Sequence, residues 1–229
     1  MMTARAIIRS AEPQARKLYH FLMEGRPPNL NGDRAIECSW IAAHMPDGPG
    51  KALDFGCGNW SWMSLLAARK GFDTTGFDLQ NVQWPYLYRS LGFMRGDILR
   101  ADLPRGDFDL IINCSAIEHV GLDRYGATSL TDAGDLEAMK RLRSLLKPNK
   151  PMLLTIPVGR DAVIAPLHRV YGTVRLPQLL EGWKVDQQEY WIKDDENRWI
   201  LVSRETALHT PPTRRCYGLG LFVLRNSAG

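Results

Sequence analysis

From Lys51 onward the chain alternates short apolar runs with stretches of helical periodicity, and that alternation marks β-α-β units packed as a mostly parallel sheet. Strands are expected at Lys51–Phe55, Asp73–Phe77, Phe93–Met94, Phe108–Cys114 and Met152–Pro157. Helices fill the gaps. One starts near Asn59–Ser61 and stops at Gly71, and another starts at Asn81 and stops at Gly92. A third runs about 135–147, with Leu136, Met139, Leu142 and Leu146 on one face and Pro148 behind it. The tail departs from alternation. Trp183–Ile192, Trp199–Val202 and Cys216–Arg225 read as strands with no helix between the last ones, as an antiparallel hairpin at the sheet edge would require. Ahead of the alternation lie two helices: residues 10–24, capped by Ser10 and stopped by Gly25, and a short one after Asp33 with Ile36, Trp40 and Ile41 on one face.

The 229 residues suit one domain with embellishments, a helical extension over 1–48 followed by a single α/β domain over 49–229. Hydrophobic residues at 45% and charged residues at 24% exclude disordered and fibrous classes. No apolar run is long enough to span a bilayer, so no membrane partner is expected. The start, broken by Glu12 and Pro13, does not read as a secretory signal. Cys38, Cys57, Cys114 and Cys216 are scattered, with no C-x-x-C pair and no His cluster, so neither a disulfide framework nor a metal site is indicated. A reducing compartment, the cytoplasm, is the expectation. The net charge of +4 is spread without like-charge runs and permits anionic partners without implying them.

Leu53-Asp54-Phe55-Gly56-Cys57-Gly58-Asn59 stands where the first strand ends and the first helix begins. Glycines there let the backbone turn sharply and approach a ligand, and the helix start adds exposed N–H groups. Twenty residues after Gly58 comes Asp78, at the end of the second strand, placed to accept two ribose hydroxyls. A dinucleotide fingerprint would want glycine where this chain has Ser61. Asp54 would repel a pyrophosphate but attract a sulfonium and an amino group. Gly96-Asp97-Ile98 follows the third strand, where a carboxylate can accept from an adenine amino group. A positively charged adenosyl ligand without phosphates fits these features best.

Asp54-x-Gly56-x-Gly58, Asp78, Gly96-Asp97, the Asp107–Cys114 strand and the Leu146-Lys147-Pro148 helix exit resemble a class I S-adenosylmethionine-dependent methyltransferase over about residues 51–157. The resemblance implies S-adenosyl-L-methionine as cofactor, with Asp54, Gly56, Cys57 and Gly58 at its methionine end and Asp78 with Leu79 at the ribose. It implies Asp97 and Ile98 at the adenine, and Cys114 and Ser115 beside the cofactor. Two departures stand out: Asn59 where many relatives have a third glycine, and Asn149-Lys150 in place of a glycine pair. It also implies a three-layer α/β sandwich: a mainly parallel seven-stranded sheet with an antiparallel last strand, under an N-terminal helical cap.

On the substrate side, Glu118-His119 follows the fourth strand, in a loop that lies beside the methyl group in the resembled family. His119 can hold or deprotonate a nucleophile, because imidazole titrates near neutrality; alternatively the pair ties the loop to the helix behind it. Arg160-Asp161 and His168-Arg169-Val170-Tyr171 follow the fifth strand, where guanidinium groups can grip a phosphate or carboxylate. Residues 108–186 also resemble a methyltransferase-like family whose chemistry is unassigned. Trp60, Trp62, Trp84, Tyr86 and Tyr88 are read mainly as packing between helix and sheet. The expected reaction is in-line methyl transfer to a small polar acceptor, a sugar or an anionic metabolite. Glu118, Arg160, Asp161, Arg169 and Tyr171 are candidate acceptor-binding residues, and His119, then His168, candidate bases. An RNA-modifying enzyme and a non-catalytic binding module remain as rivals, nucleic acid being the less expected partner. The oligomeric state is open.

Overall fold

The computed structural model describes residues 32–59, 62–84, 87–126, 130–213 and 217–226, together with Ala15 and Leu18. The helix expected over residues 10–24 lies outside the described residues, apart from those last two, which are helical and exposed. The chain runs α1 (Asp33–His44), β1 (Gly50–Phe55), α2 (Trp62–Arg69), β2 (Phe72–Asp78), β3 (Leu91–Arg95), β4 (Leu110–Cys114) and α3 (Gly134–Leu145). It continues through β5 (Pro151–Val158), β6 (Ala162–Ile164), β7 (His168–Val170), α4 (Arg175–Leu179), β8 (Trp183–Lys193), β9 (Trp199–Leu201), α5 (Arg204–His209) and β10 (Gly218–Asn226).

The main sheet has eight strands in the order β3-β2-β1-β4-β5-β10-β8-β9. The first five are parallel, and β10 is antiparallel to both of its neighbours, so a mainly parallel sheet with a reversed last strand is what forms. Its side chains divide by strand alternation. Leu53, Ile111 and Leu154 join Met139 and Leu142 of α3 on one face, while Ala52, Leu110, Ile112 and Leu153 join Trp40, Ile41, Met63 and Ala67 of α1 and α2 on the other. Central strands buried on both faces read as unbroken apolar runs, which is why β4 and β5 were visible in the sequence.

Four expectations are corrected. The sheet has eight strands rather than seven, because β9 adds an edge hairpin to β8. No helix forms from Asn81 to Gly92 among the described residues. Pro85 denies that stretch a helical N–H, and Trp84 spends its indole on packing over Gly76 and donating Nε1–H to the Gly58 carbonyl at 3.1 Å. A helix, α5, does separate the last strands; Ser203 caps it by accepting from Thr206 N at 3.1 Å. Finally, β10 does not sit at the edge but inserts between β5 and β8. The short β6–β7 ribbon is an addition the sequence pattern had not marked.

Candidate active site

Strand order reverses between β1 and β4: the chain steps outward through β2 and β3, then returns to the other side of β1. A crevice opens above the carboxyl ends of such strands because the following loops part there. A cavity of about 570 Å³ occupies that position, within the roughly 300–1,000 Å³ common for small-molecule sites.

Its floor is the glycine loop. Gly56 has φ +73°, and a Cβ there would stand 2.2 Å from the Ala116 Cβ, so only glycine lets this loop touch the one after β4. Gly58 has φ +59° and nothing within 4 Å of the place a Cβ would take. Its N–H donates to Asp78 Oδ2 at 2.9 Å, while Gln80 N donates to Asp78 Oδ1 at 2.9 Å. A carboxylate has about four acceptor positions, so Asp78 keeps capacity for two more donors. Asp54 is buried and accepts from Ser64 Oγ. Asp97 accepts from Leu99 N at 3.0 Å, which fixes its carboxylate at the β3 end.

Asp54, Gly56, Cys57 and Gly58 line one side of this cavity, Asp78, Leu79, Asp97 and Ile98 another, and Cys114 and Ser115 a third. These residues fit S-adenosylmethionine: an acid sits where an amino group would lie, two more stand at successive strand ends, and Gly58 leaves space that any side chain would fill. Burial, with Asp54 and Asp78 nearby, pushes the Cys57 thiol well up, so it is an inert wall.

His119 shares the cavity. Its Nδ1 lies 2.6 Å from the Leu167 carbonyl oxygen, which can only accept, so Nδ1 carries the proton and Nε2 holds a lone pair. Burial drives its pKa from 6.5 to about 3 against that hydrogen bond. Nε2 stands 3.6 Å from Glu118 Oε1, and burial pushes the Glu118 carboxyl up to about 8. His168 does not line the cavity. It is buried behind His119, ring centroids 6.3 Å apart, and burial holds its pKa near 4.

The structure does not gather the arginine cluster at the cavity. Arg169 is 1% exposed, and its guanidinium donates to the carbonyls of Val120 at 2.6 Å and Thr131 at 3.1 Å. Tyr171 is fully buried and donates to Asp135 Oδ2 at 3.1 Å; Arg175 Nη2 reaches Asp135 Oδ1 at 2.6 Å. Asp161 accepts from the backbone N–H groups of Gly172, Val174 and Arg175. Arg160 donates Nε–H to the His209 carbonyl at 3.1 Å. None of Glu118, Arg160, Asp161, Arg169 and Tyr171 lines the cavity. Arg169 holds the loop after β4 against β7, and Arg175 holds it against α4, because a buried guanidinium must satisfy its donors and loop carbonyls are the nearest acceptors.

Sequence reasoning missed the contribution of α1. Arg34 and Cys38 line the cavity, and Arg34 is the one Lys or Arg among the described lining residues. Arg34 Nη1 reaches Glu37 Oε2 at 3.1 Å and the Cys114 carbonyl at 3.2 Å. A signal existed: Glu37 shares the helical face of Trp40 and Ile41, a carboxylate on an apolar stripe.

The family described as "Caenorhabditis protein of unknown function, DUF268" matches residues 102–217, and the family described as "Methyltransferase domain" matches residues 53–150. No curated protein matches the chain. Among solved structures, the chain is similar to the Burkholderia thailandensis 1,6-didemethyltoxoflavin-N1-methyltransferase, crystallised with 1,6-didemethyltoxoflavin and S-adenosylhomocysteine. Identity is 14% and the TM-score 0.57, covering 98% of this chain and 87% of that one. It is similar to an S-adenosylmethionine-dependent methyltransferase from Mesorhizobium loti, at 17% identity and TM-score 0.56 over 84% of this chain and 99% of that one. The [4+2]-cyclase SpnF is also similar, at 16% identity and TM-score 0.61 over 89% of this chain and 85% of that one. At such identities the likeness is one of fold.

Proposed function

The chain belongs to the DUF268 family and is a class I S-adenosylmethionine-dependent methyltransferase, and from that premise we propose that it methylates a small polar acceptor, a sugar or an anionic metabolite, on an atom that hydrogen-bonds to His119. The observation that carries this reading is one cavity lined both by Asp54, Gly58, Asp78 and Asp97 and by His119. When bound, S-adenosylmethionine supplies a methyl group on a sulfonium sulfur, open to in-line displacement. The chain supplies placement. His119 Nε2 accepts from the acceptor's O–H or N–H and so aims the acceptor atom's own lone pair at the methyl. A nitrogen with a pKa of about 3 is a weak base, yet it suffices here. A hydroxyl oxygen that is gaining a methyl group becomes far more acidic than such an imidazolium, so the proton moves late and downhill.

Arg34 supports the anionic half of the reading, since it is the one Lys or Arg among the described residues of the cavity wall. Residues 49–229 are taken as the catalytic domain, residues 1–48 as its helical extension, and the cytoplasm as its compartment. Calorimetric titration with S-adenosylmethionine, S-adenosylhomocysteine and NAD tests the core of this. Micromolar binding of the first two and none of the third is expected. Folded protein that binds neither adenosyl ligand would overturn it, and RNA affinity persisting at physiological salt would move the acceptor to nucleic acid.

A further inference from the structure

The residues that fit S-adenosylmethionine account for part of the cavity wall. The rest comes from α1, the start of α2 and the loop after β4. There Trp62, Val120, Leu122 and Tyr125 supply apolar surface, and polar groups are few. Ser115 gives its hydroxyl to Glu37. Among the described residues this leaves Arg34, His119 and the ring N–H and hydroxyl of Trp62 and Tyr125. Trp62 is 60% exposed and Tyr125 41%, large rings left in water where a ligand would cover them. Tyr125 stands edge-on to His119, ring centroids 5.3 Å apart, so an acceptor bonded to His119 meets that ring.

Arg34 is held from behind. Its Nη1 donates to Glu37 Oε2 at 3.1 Å and to the Cys114 carbonyl at 3.2 Å, and Glu37 is buried and fixed in turn by Thr155. Among the described residues Nε and Nη2 of Arg34 make no hydrogen bond, and the side chain is 58% exposed. Those two nitrogens form the edge that matches both oxygens of a carboxylate.

Resting on the methyltransferase reading, we propose that the acceptor is a small flat hydroxy acid, an apolar ring bearing a carboxylate and a hydroxyl, and that Arg34 selects it by gripping the carboxylate through Nε and Nη2. The ring lies against Tyr125 and Trp62, and the hydroxyl meets His119. A sugar would turn several hydroxyls toward apolar side chains, and a phosphate dianion would meet only one half-used guanidinium; both lose hydration without replacement. The cavity of about 570 Å³ must hold the cofactor as well, which keeps the acid small. In the net reaction the hydroxyl exchanges its proton for the methyl group: the C–O bond forms as the C–S bond breaks, the bonding pair stays on sulfur and the proton leaves through His119.

The test is calorimetry on the full chain saturated with S-adenosylhomocysteine. The probes are meta- and para-hydroxybenzoate, the matching hydroxybenzyl alcohols, glucose and inorganic phosphate. At least one acid should bind about tenfold or more tightly than its alcohol, the scale of a charge-assisted pair, and more tightly than glucose or phosphate. Arg34→Gln should erase that preference while the affinities for the alcohol and for S-adenosylhomocysteine stay. With S-adenosylmethionine, mass spectrometry should show the methyl ether of the preferred acid. Acid and alcohol binding alike, or neither acid binding, would overturn the proposal without recourse to any variant. So would tighter binding of glucose or phosphate, or an acid that is held but not methylated. Arg34→Gln weakening S-adenosylhomocysteine instead of the acid would overturn it too, because Arg34 would then hold the cofactor's own carboxylate. A wild-type chain that fails to bind S-adenosylhomocysteine would overturn the methyltransferase reading, and this acceptor with it.

Discussion

Thr155 Oγ1 donates to Glu37 Oε1 at 2.7 Å across 118 residues of chain, and Ser115 Oγ donates to the same oxygen. Glu37 is 1% exposed. One carboxylate on α1 thus joins the end of β4 to the middle of β5 and anchors the Arg34 guanidinium beside the cavity. Burial raises the Glu37 pKa, and Arg34 with the two hydroxyls opposes the rise.

Glu37→Ala strands two hydroxyls and part of a guanidinium, at about 1–3 kcal/mol for donors left unpaired. Urea unfolding should show that loss, and S-adenosylhomocysteine affinity should fall with it because Ser115 loses its tether. Glu37→Gln keeps the acceptor and should recover most of the stability.

The two glycines separate stability from binding. Gly56→Ala sets a methyl carbon 2.2 Å from Ala116 Cβ at positive φ, and should cost roughly 3 kcal/mol or more. Gly58→Ala meets no atom within 4 Å, and should cost only about 1 kcal/mol of left-handed strain. Its methyl group projects where ligand would lie, so calorimetry should show weakened S-adenosylhomocysteine binding with little change in Tm.

Arg169→Met should destabilise the chain by about 3–5 kcal/mol in urea unfolding, because Asp135 and four loop carbonyls lose a buried partner. Arg160→Met, at an exposed site, should stay within about 0.5 kcal/mol. Equal effects would return the arginine cluster to the acceptor site.

Burial moves Glu118 and His119 in opposite directions. Glu118 rises from 4.5 to about 8, so the folded chain keeps a proton the unfolded chain releases, and its contribution to stability is lost as pH climbs through about 8. His119 falls from 6.5 to about 3, so the unfolded chain takes up a proton first and stability is lost as pH drops from 6.5 toward 3. Urea midpoints measured across pH should show Glu118→Gln flattening the alkaline arm and His119→Gln the acid arm.

Sequence periodicity carried the parallel half of the fold, and the corrections have a common cause. Asn81–Gly92 has helical spacing on paper, but Trp84 satisfies itself against Gly76 and the glycine loop, and a side chain recruited that way cannot also face a helix stripe. The reversed β10 was legible as a strand, whereas its slot between β5 and β8 depends on pairing with residues some 30 to 70 positions away. The arginines after β5 read as ligands by charge alone, and the burial of Arg169 under the loop after β4 was not written in its own neighbourhood.

The sequence alone determined the strand–glycine–helix junction, the acidic residues at three successive strand ends and the alternation that stacks them. Each of those rests on backbone conformation and spacing within a few residues. Tertiary structure decided that His119 faces the cavity while His168 stands behind it, that Arg169 and Tyr171 serve the scaffold, and that Glu37, Arg34 and Cys38 of α1 complete the wall. Those outcomes depend on which buried polar groups find partners across the sheet, a balance of desolvation against hydrogen bonding that only the assembled fold sets.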